Sequence, residues 1–140
     1  EAETQAANAL LETGADVLAQ HQDSTATGLA AEAAGAKWIS YNTAYGKDSA
    51  PEAFVTAPVW DWGPYYVDIV ESIIDGTFST ESYWGGMETG LVSLYDLSSD
   101  VPSDIATLIG EKTDAIIDGT LEVEIVEEEF ISNVIGTVNP

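Results

Sequence analysis

Apolar residues recur at helical spacing in four stretches of this chain, and short apolar runs of strand length lie between them. Ala6, Ala7, Leu10 and Leu11 share one side of a predicted helix over residues 1–13, which Gly14 ends. The run Asp16-Val17-Leu18-Ala19 predicts a buried parallel strand, and it leaves through the polar turn Gln20-His21-Gln22-Asp23-Ser24. An Ala-rich helix follows from about Thr25 to Ala34, closed by Gly35. Lys37 to Tyr41 is the next predicted strand, Asn42 to Gly46 its exit loop, and Phe54 to Val59 the third strand.

Beyond that strand, Gly63-Pro64 opens a helix in which Ile69, Val70, Ile73 and Ile74 keep helical spacing up to Gly76; proline in a first turn loses no hydrogen bond. Residues 82–97 mix Gly85, Gly86 and Gly90 with alternating apolar positions and predict a strand pair or an irregular strand. Pro102-Ser103-Asp104 starts another helix, carried by Ile105, Leu108, Ile109 and Ile116 and stopped at Gly119. The string IIDGT occurs at 73–77 and again at 116–120, and two helices ending alike explain it without a duplication. Glu127 to Pro140 predicts an acidic short helix and an extended Val-rich tail.

Strand and helix alternating through short links predict an α/β fold, a parallel sheet with helices on both faces in three layers. Ligands of such sheets lie beyond the carboxyl ends of the strands, so segments 20–24, 42–46 and 60–63 converge on one rim.

Charge changes this picture sharply. Three lysines and no arginine stand against 25 acidic residues, for a net charge of −22. Nucleic acid is excluded as a partner, because no Lys/Arg stripe exists to meet phosphates. Anionic membrane surfaces are disfavoured for the same reason. The acidity fits either solubility in concentrated salt, where self-repulsion is screened, or steering of a cationic partner. The carboxylates are spread along the whole chain, which favours the first account. There is no cysteine, hence no disulfide or thiolate chemistry, and no apolar run of membrane-spanning length. Glu1 opens inside a helix-like pattern, so the expectation is a mature fragment or a cut-out piece.

The candidate chemistry is binding. Trp60 and Trp62 follow the third strand two residues apart, and alternation points both to one side. They serve either as a platform for a flat ligand or as packing beneath the next helix. His21, Gln22, Asp23 and Ser24 stand at a strand end before a helix, where polar side chains and free backbone N–H groups can meet a polar ligand edge. Asp23 or Ser24 also serves as the helix cap. A His-Asp-Ser catalytic set is not expected from residues so close in sequence, and no G-x-S-x-G elbow is present. One histidine and scattered carboxylates make no transition-metal site, and Gly85-Gly86 lacks phosphate-loop context, so no cofactor is expected. Trp84-Gly85-Gly86 is either a tight hairpin bend or a close approach of backbone to a strand or ligand.

Taken in order, LLETGADVLAQHQDS, AAEAAGAKWISYN, VWDWGPYYVDIVESIIDGTF, SYWGGMETGLVSL, VPSDIATLIGEKTDAIIDGT and ISNVIGTVNP resemble the basic membrane protein family of ABC-transporter solute-binding lipoproteins, which includes purine-nucleoside receptors. The resemblance spans nearly all 140 residues. It implies a type I periplasmic-binding-protein-like fold of two lobes that clamp a ligand, with this chain matching the carboxyl-terminal lobe and lacking its first strand and the partner lobe. It implies delivery of a purine nucleoside or base to a membrane permease without chemistry, from an extracytoplasmic, membrane-anchored position. A sugar, or a ligand-sensing lobe of a signalling protein, is the alternative. His21, Asp23 and Ser24 match the loop after the lobe's second strand, and Asn42 a position often acidic or amide. Trp60 and Trp62 match an aromatic turn found in part of the family. Thr89 departs from it, standing where many members carry the aspartate of a D-G pair. With the family in view, Trp84 and Gly86 join the expected ligand contacts. Combined with the acidity, an archaeal cell surface is the expected setting.

Overall fold

The computed structural model describes residues 1–42 and 44–124, and its sheet is assembled around one side chain. Trp38, 0% exposed, sits at the centre of β2 (Lys37–Ile39). Leu18 of β1 (Val17–Ala19) is its register partner on one side and Phe54 of β3 (Phe54–Thr56) on the other, all parallel. The indole meets the Phe54 ring edge-on, centroids 6.1 Å apart.

Room for so large a ring dictates the small residues around it. A Cβ on Gly28 of α2 (Ala26–Ala34) would stand 2.3 Å from the indole, and one on Gly46 of α3 (Gly46–Ser49) 2.6 Å. Ala30 and Ala31 of α2 and Ala7 of α1 (Ala2–Glu12) complete this side of the core. The helices end as their glycines require: Gly35 adopts φ +70° just past α2, a left-handed conformation that costs glycine nothing.

Two strand expectations need correction. β1 is not buried on both faces: it is an edge strand in the order β1-β2-β3, and Val17 and Ala19 face outward while only Leu18 is buried. The 54–59 segment is not one strand. Ala57 separates β3 from β4 (Pro58–Trp60), because from Pro58 onward the chain pairs antiparallel with β5 (Val92–Leu94). Region 82–97 accordingly supplies one short strand after a 3-10 turn at Met87–Thr89, its partner being β4.

The pairing continues past the named strands. Asp61 N–H donates to Leu91 O (2.9 Å), Tyr95 N–H to Ala57 O (2.8 Å) and Ser98 N–H to Val55 O (2.7 Å). The Thr56 hydroxyl donates to Tyr95 O at 2.6 Å. Residues 55–61 and 91–98 thus form one antiparallel ribbon whose lower end borders β3. Lys37 pins that border by donating to Glu52 O (2.8 Å) and pairing with Asp100.

α4 (Gly63–Ile74) and α5 (Ser103–Ile117) close with the repeated IIDGT in the same geometry. Gly76 and Gly119 take φ +70° and +77°. The Thr77 hydroxyl points back five residues to Ser72 O (3.4 Å), and the Thr120 hydroxyl lies 3.3 Å from the equivalent Ala115 O while its proton goes to Asp118 Oδ1 (2.6 Å). The expected acidic helix and tail over Glu127 to Pro140 lie outside the described residues.

Candidate functional site

The carboxyl ends of β1, β2 and β4 open onto one rim, and hydrogen bonds decide which of its side chains remain available. Gln20, just past β1, accepts the Trp38 indole N–H on Oε1 (3.0 Å) and donates Nε2 to Gln22 O (2.7 Å) and Ser24 O (2.8 Å). The turn is therefore fixed to the core. Gln22 is spent inside it: Oε1 accepts Ser24 N–H (2.7 Å) and Nε2 donates to Ser24 O (3.1 Å). Ser24 is spent as well, its hydroxyl donating to Glu3 and accepting Ala26 N–H (3.2 Å) at the start of α2. The cap expected at Asp23 or Ser24 is not formed: Thr25 holds the N-cap position and makes no side-chain cap bond, and Ser24 only accepts Ala26 N–H from the preceding turn.

His21 and Asp23 are left at the surface. The His21 ring lies 4.5 Å from the Tyr41 ring, tilted by 58°. Asn42 takes φ +66°, a left-handed conformation that asparagine tolerates, and its amide reaches Asp23 Oδ1 in a long 3.4 Å bond. An isolated parallel bridge between Asn42 and Val59 sets this loop against the residue preceding Trp60.

Trp60 and Trp62 stack on each other, centroids 5.9 Å apart and planes within 20°, each with more than two fifths of its surface exposed (42% and 43%). Trp62 meets the first turn of α4, its ring 6.0 Å from that of Tyr65 and 6.4 Å from that of Tyr66. Asp61, between the two indoles, accepts Gly63 N–H on Oδ1 (3.0 Å), shaping the turn into the helix. Tyr65 and Tyr66 extend the aromatic surface, and Tyr83 stacks on Tyr65 at 4.4 Å, which brings the 83–89 loop alongside. In that loop Trp84 is 91% exposed. Gly86 N–H donates to Glu88 Oε1 (3.0 Å), and the Thr89 hydroxyl donates to Gly86 O (3.0 Å) while accepting Leu91 N–H (3.3 Å). The glycines are thus approached by their own loop: a Cβ on Gly86 would meet Glu88 at 2.5 Å and one on Gly85 would meet Thr89 at 2.6 Å.

The rim so contains two neighbouring groups. His21, Asp23 and Asn42 offer polar edges, and Trp60 and Trp62 offer a flat apolar surface, while Trp84 projects from the loop that Tyr83 anchors on Tyr65. Gln22, Ser24, Gly86 and Thr89 hold the loops. Gln20, Tyr41, Tyr65 and Tyr83 escaped the sequence reading. Tyr41 was recoverable, since it ends a predicted strand on the rim side, but the Gln20–Trp38 bond joins residues too far apart in sequence for any local signal.

Of the three lysines, Lys37 is paired with Asp100, Lys47 lies over the Tyr95 ring at 5.7 Å, and Lys112 is on α5. No cluster of metal-ligating side chains occurs among the described residues. An opening of about 660 Å³ shares Gly86 with the 83–89 loop and is lined further by Met87, Val92, Ile116, Ile117 and Leu121.

The family model for ABC transporter substrate-binding proteins of the PnrA-like (Bmp) type matches residues 1–126. A Haloferax volcanii protein, provisionally named an ABC transporter glucose-binding protein, is 35% identical over 119 residues, covering 85% of this chain and 30% of the relative. A purine-binding protein of Brucella abortus is 38% identical over 120 residues, covering 82% and 32%. The chain therefore spans about a third of the length of the curated relatives it matches. Among solved structures, a transcriptional activator of the comK gene from Bacillus halodurans superposes with TM-score 0.75 at 20% identity, over 86% of this chain and 43% of that one. An ABC transporter solute-binding protein from Conexibacter woesei superposes with TM-score 0.68 at 24% identity, over 87% and 41%. At these identities both show a shared fold.

Proposed function

Because this chain belongs to the PnrA-like family of ABC transporter substrate-binding proteins, we propose that it forms part of a receptor for a purine nucleoside or nucleobase. The family's members bind small solutes outside the cytoplasmic membrane and pass them to a permease. No helix among the described residues is long and apolar enough to cross a membrane. In our reading the longer protein is lipid-anchored at a cell surface, and it releases its solute to the permease unchanged.

The observation that carries the purine reading is the exposed, stacked Trp60–Trp62 pair beside the polar His21–Asn42 loop. A planar heterocycle offers the indoles a π-face and offers Asp23 and Asn42 its donor and acceptor edge, with stacking contributing about 1–3 kcal/mol per base. An uncharged ligand is favoured by the lysine contacts, since Lys37 is engaged by Asp100 and Lys47 by the Tyr95 ring. The Brucella relative's name points the same way.

A sugar is the second reading, favoured by the name of the Haloferax relative and by the ability of indoles to stack on pyranose faces. Thermal shift of the longer protein with adenosine, guanosine, adenine, ribose and glucose separates the two. Stabilisation by adenine as well as the nucleosides supports the base-stacking reading. Stabilisation by glucose or ribose alone overturns it.

A further inference from the structure

Two side chains at the polar end of the rim carry a hydrogen-bonding order that their own chemistry fixes. Asp23 and Asn42 are both exposed, and the Asn42 amide donates from Nδ2 to Asp23 Oδ1 across 3.4 Å. A carboxylate offers acceptors alone, so only the nitrogen side of the amide can face it. Oδ1 of Asn42 sits on the same carbon as Nδ2 and therefore lies beyond it. Outward from Asp23, the groups open to a ligand run acceptor, donor, acceptor: the carboxylate, the second Nδ2 hydrogen and Oδ1.

The backbone beneath this row is held from both sides. Asn42 keeps φ +66°, and a parallel bridge ties it to Val59, the residue before Trp60. The turn that carries Asp23 is held by Gln20, through its bonds to Gln22 O, Ser24 O and the Trp38 indole. Among the described residues the ion pair is Lys37–Asp100, so no lysine neutralises Asp23. The His21 imidazole can donate or accept through its two tautomers, and it sets no preference.

Purines differ in the row they present in return. Adenine shows N6–H, N1 and C2–H on one edge and N6–H, N7 and C8–H on another. Either edge meets acceptor, donor, acceptor with no like groups opposed. Guanine and hypoxanthine carry O6 beside N7, two neighbouring acceptors, so one of them faces another acceptor. The guanosine edge that escapes this clash, N2–H and N3, adjoins the ribose on N9.

The geometry points to Asp23 and Asn42 as the pair that selects a 6-aminopurine, adenine or its nucleoside, over 6-oxopurines. Asn42 reads the base edge, and Asp23 is a positioning residue that keeps the amide from turning over. This selectivity rests on the purine reading of the rim and narrows it.

Titration calorimetry of the longer protein with adenosine, guanosine and inosine tests the pair. Adenosine is expected to bind at least about tenfold more tightly than either 6-oxopurine nucleoside, within the range of bidentate base contacts. Asn42→Asp keeps a side chain that tolerates the left-handed backbone, removes the donor and offers acceptors to guanine N1–H and N2–H. The adenosine-to-guanosine ratio should then fall by about tenfold or more. Asp23→Leu frees the amide to turn over, and the ratio should fall at least about threefold, which a merely structural role would not produce. Guanosine or inosine binding as tightly as adenosine overturns the selectivity and leaves purine binding standing. A ratio unmoved in both variants overturns its assignment to these two residues. Binding of glucose with none of the three nucleosides removes the purine reading itself, and this inference with it.

Discussion

Trp38 and Gln20 are joined by an indole N–H to Oε1 hydrogen bond of 3.0 Å, and through it the core fixes the shape of the rim. The same glutamine holds two carbonyls of the His21 turn through Nε2.

Replacing Gln20 with leucine leaves the buried indole N–H without its acceptor and releases the turn. The expected loss of stability is about 1–3 kcal/mol, read as a lower urea midpoint by circular dichroism. An unchanged midpoint would remove Gln20 from any part in fixing the turn.

Two glycine substitutions should move in opposite directions. Gly28→Ala drives a methyl group into the Trp38 ring, and overpacking of this kind costs roughly 1–3 kcal/mol against a helix-propensity gain below about 1. Gly110→Ala in α5 meets nothing within 4 Å and should gain about 0.5–1 kcal/mol. Thermal melts of both variants check the pair, and a stabilised Gly28→Ala would contradict the packing described.

Removal of one indole tests the platform. Trp60→Ala and Trp62→Ala in the longer protein should each weaken adenosine binding by roughly 5- to 150-fold, the range that stacking energies imply. Titration calorimetry reads the change, and a Kd held within twofold in both variants would argue for a surface role alone.

Salt should stabilise this protein. With a net charge of −22 and, among the described residues, one ion pair (Lys37–Asp100), screening relieves far more repulsion than attraction. The melting temperature is expected to climb from low salt to molar potassium chloride. A flat or falling curve would mean that the acidity serves a cationic partner instead.

Asp118 titrates below its ordinary value of 3.8, because the Thr120 hydroxyl and then the Thr120 N–H donate to its carboxylate (2.6 and 2.9 Å). A depressed carboxylate stabilises the fold above its unfolded pKa, and that contribution is lost as pH falls through the folded value. Thr120→Val keeps the N–H and removes the hydroxyl, so the Asp118 carboxyl should titrate higher by NMR. No movement would assign the depression to another cause.

Most of the local structure was legible because it rests on local chemistry. Glycines past helix ends, Pro64 at the start of α4 and the alternation around Trp38 each carry their own signal. The break at Ala57 was not legible, since Phe54 to Val59 reads as one strand and only the arrival of β5 splits it. Nor did the pattern reveal that β1 stands at an edge, because a three-residue apolar run looks the same with one neighbour or two. At the rim, the residue types were readable but their availability was not. Ser24 and Thr89 look like ligand donors until the structure shows both hydroxyls already donating within the protein.

The seclusion of Trp38 between Gly28 and Gly46 has an optical consequence. Caesium ions, drawn to the acidic surface, reach the indoles of Trp60, Trp62 and Trp84 and miss the fourth, so the emission they cannot quench belongs to the interior. One sample thereby carries two colours of information: its quenchable light follows occupancy of the turn, and the remainder follows melting of the sheet.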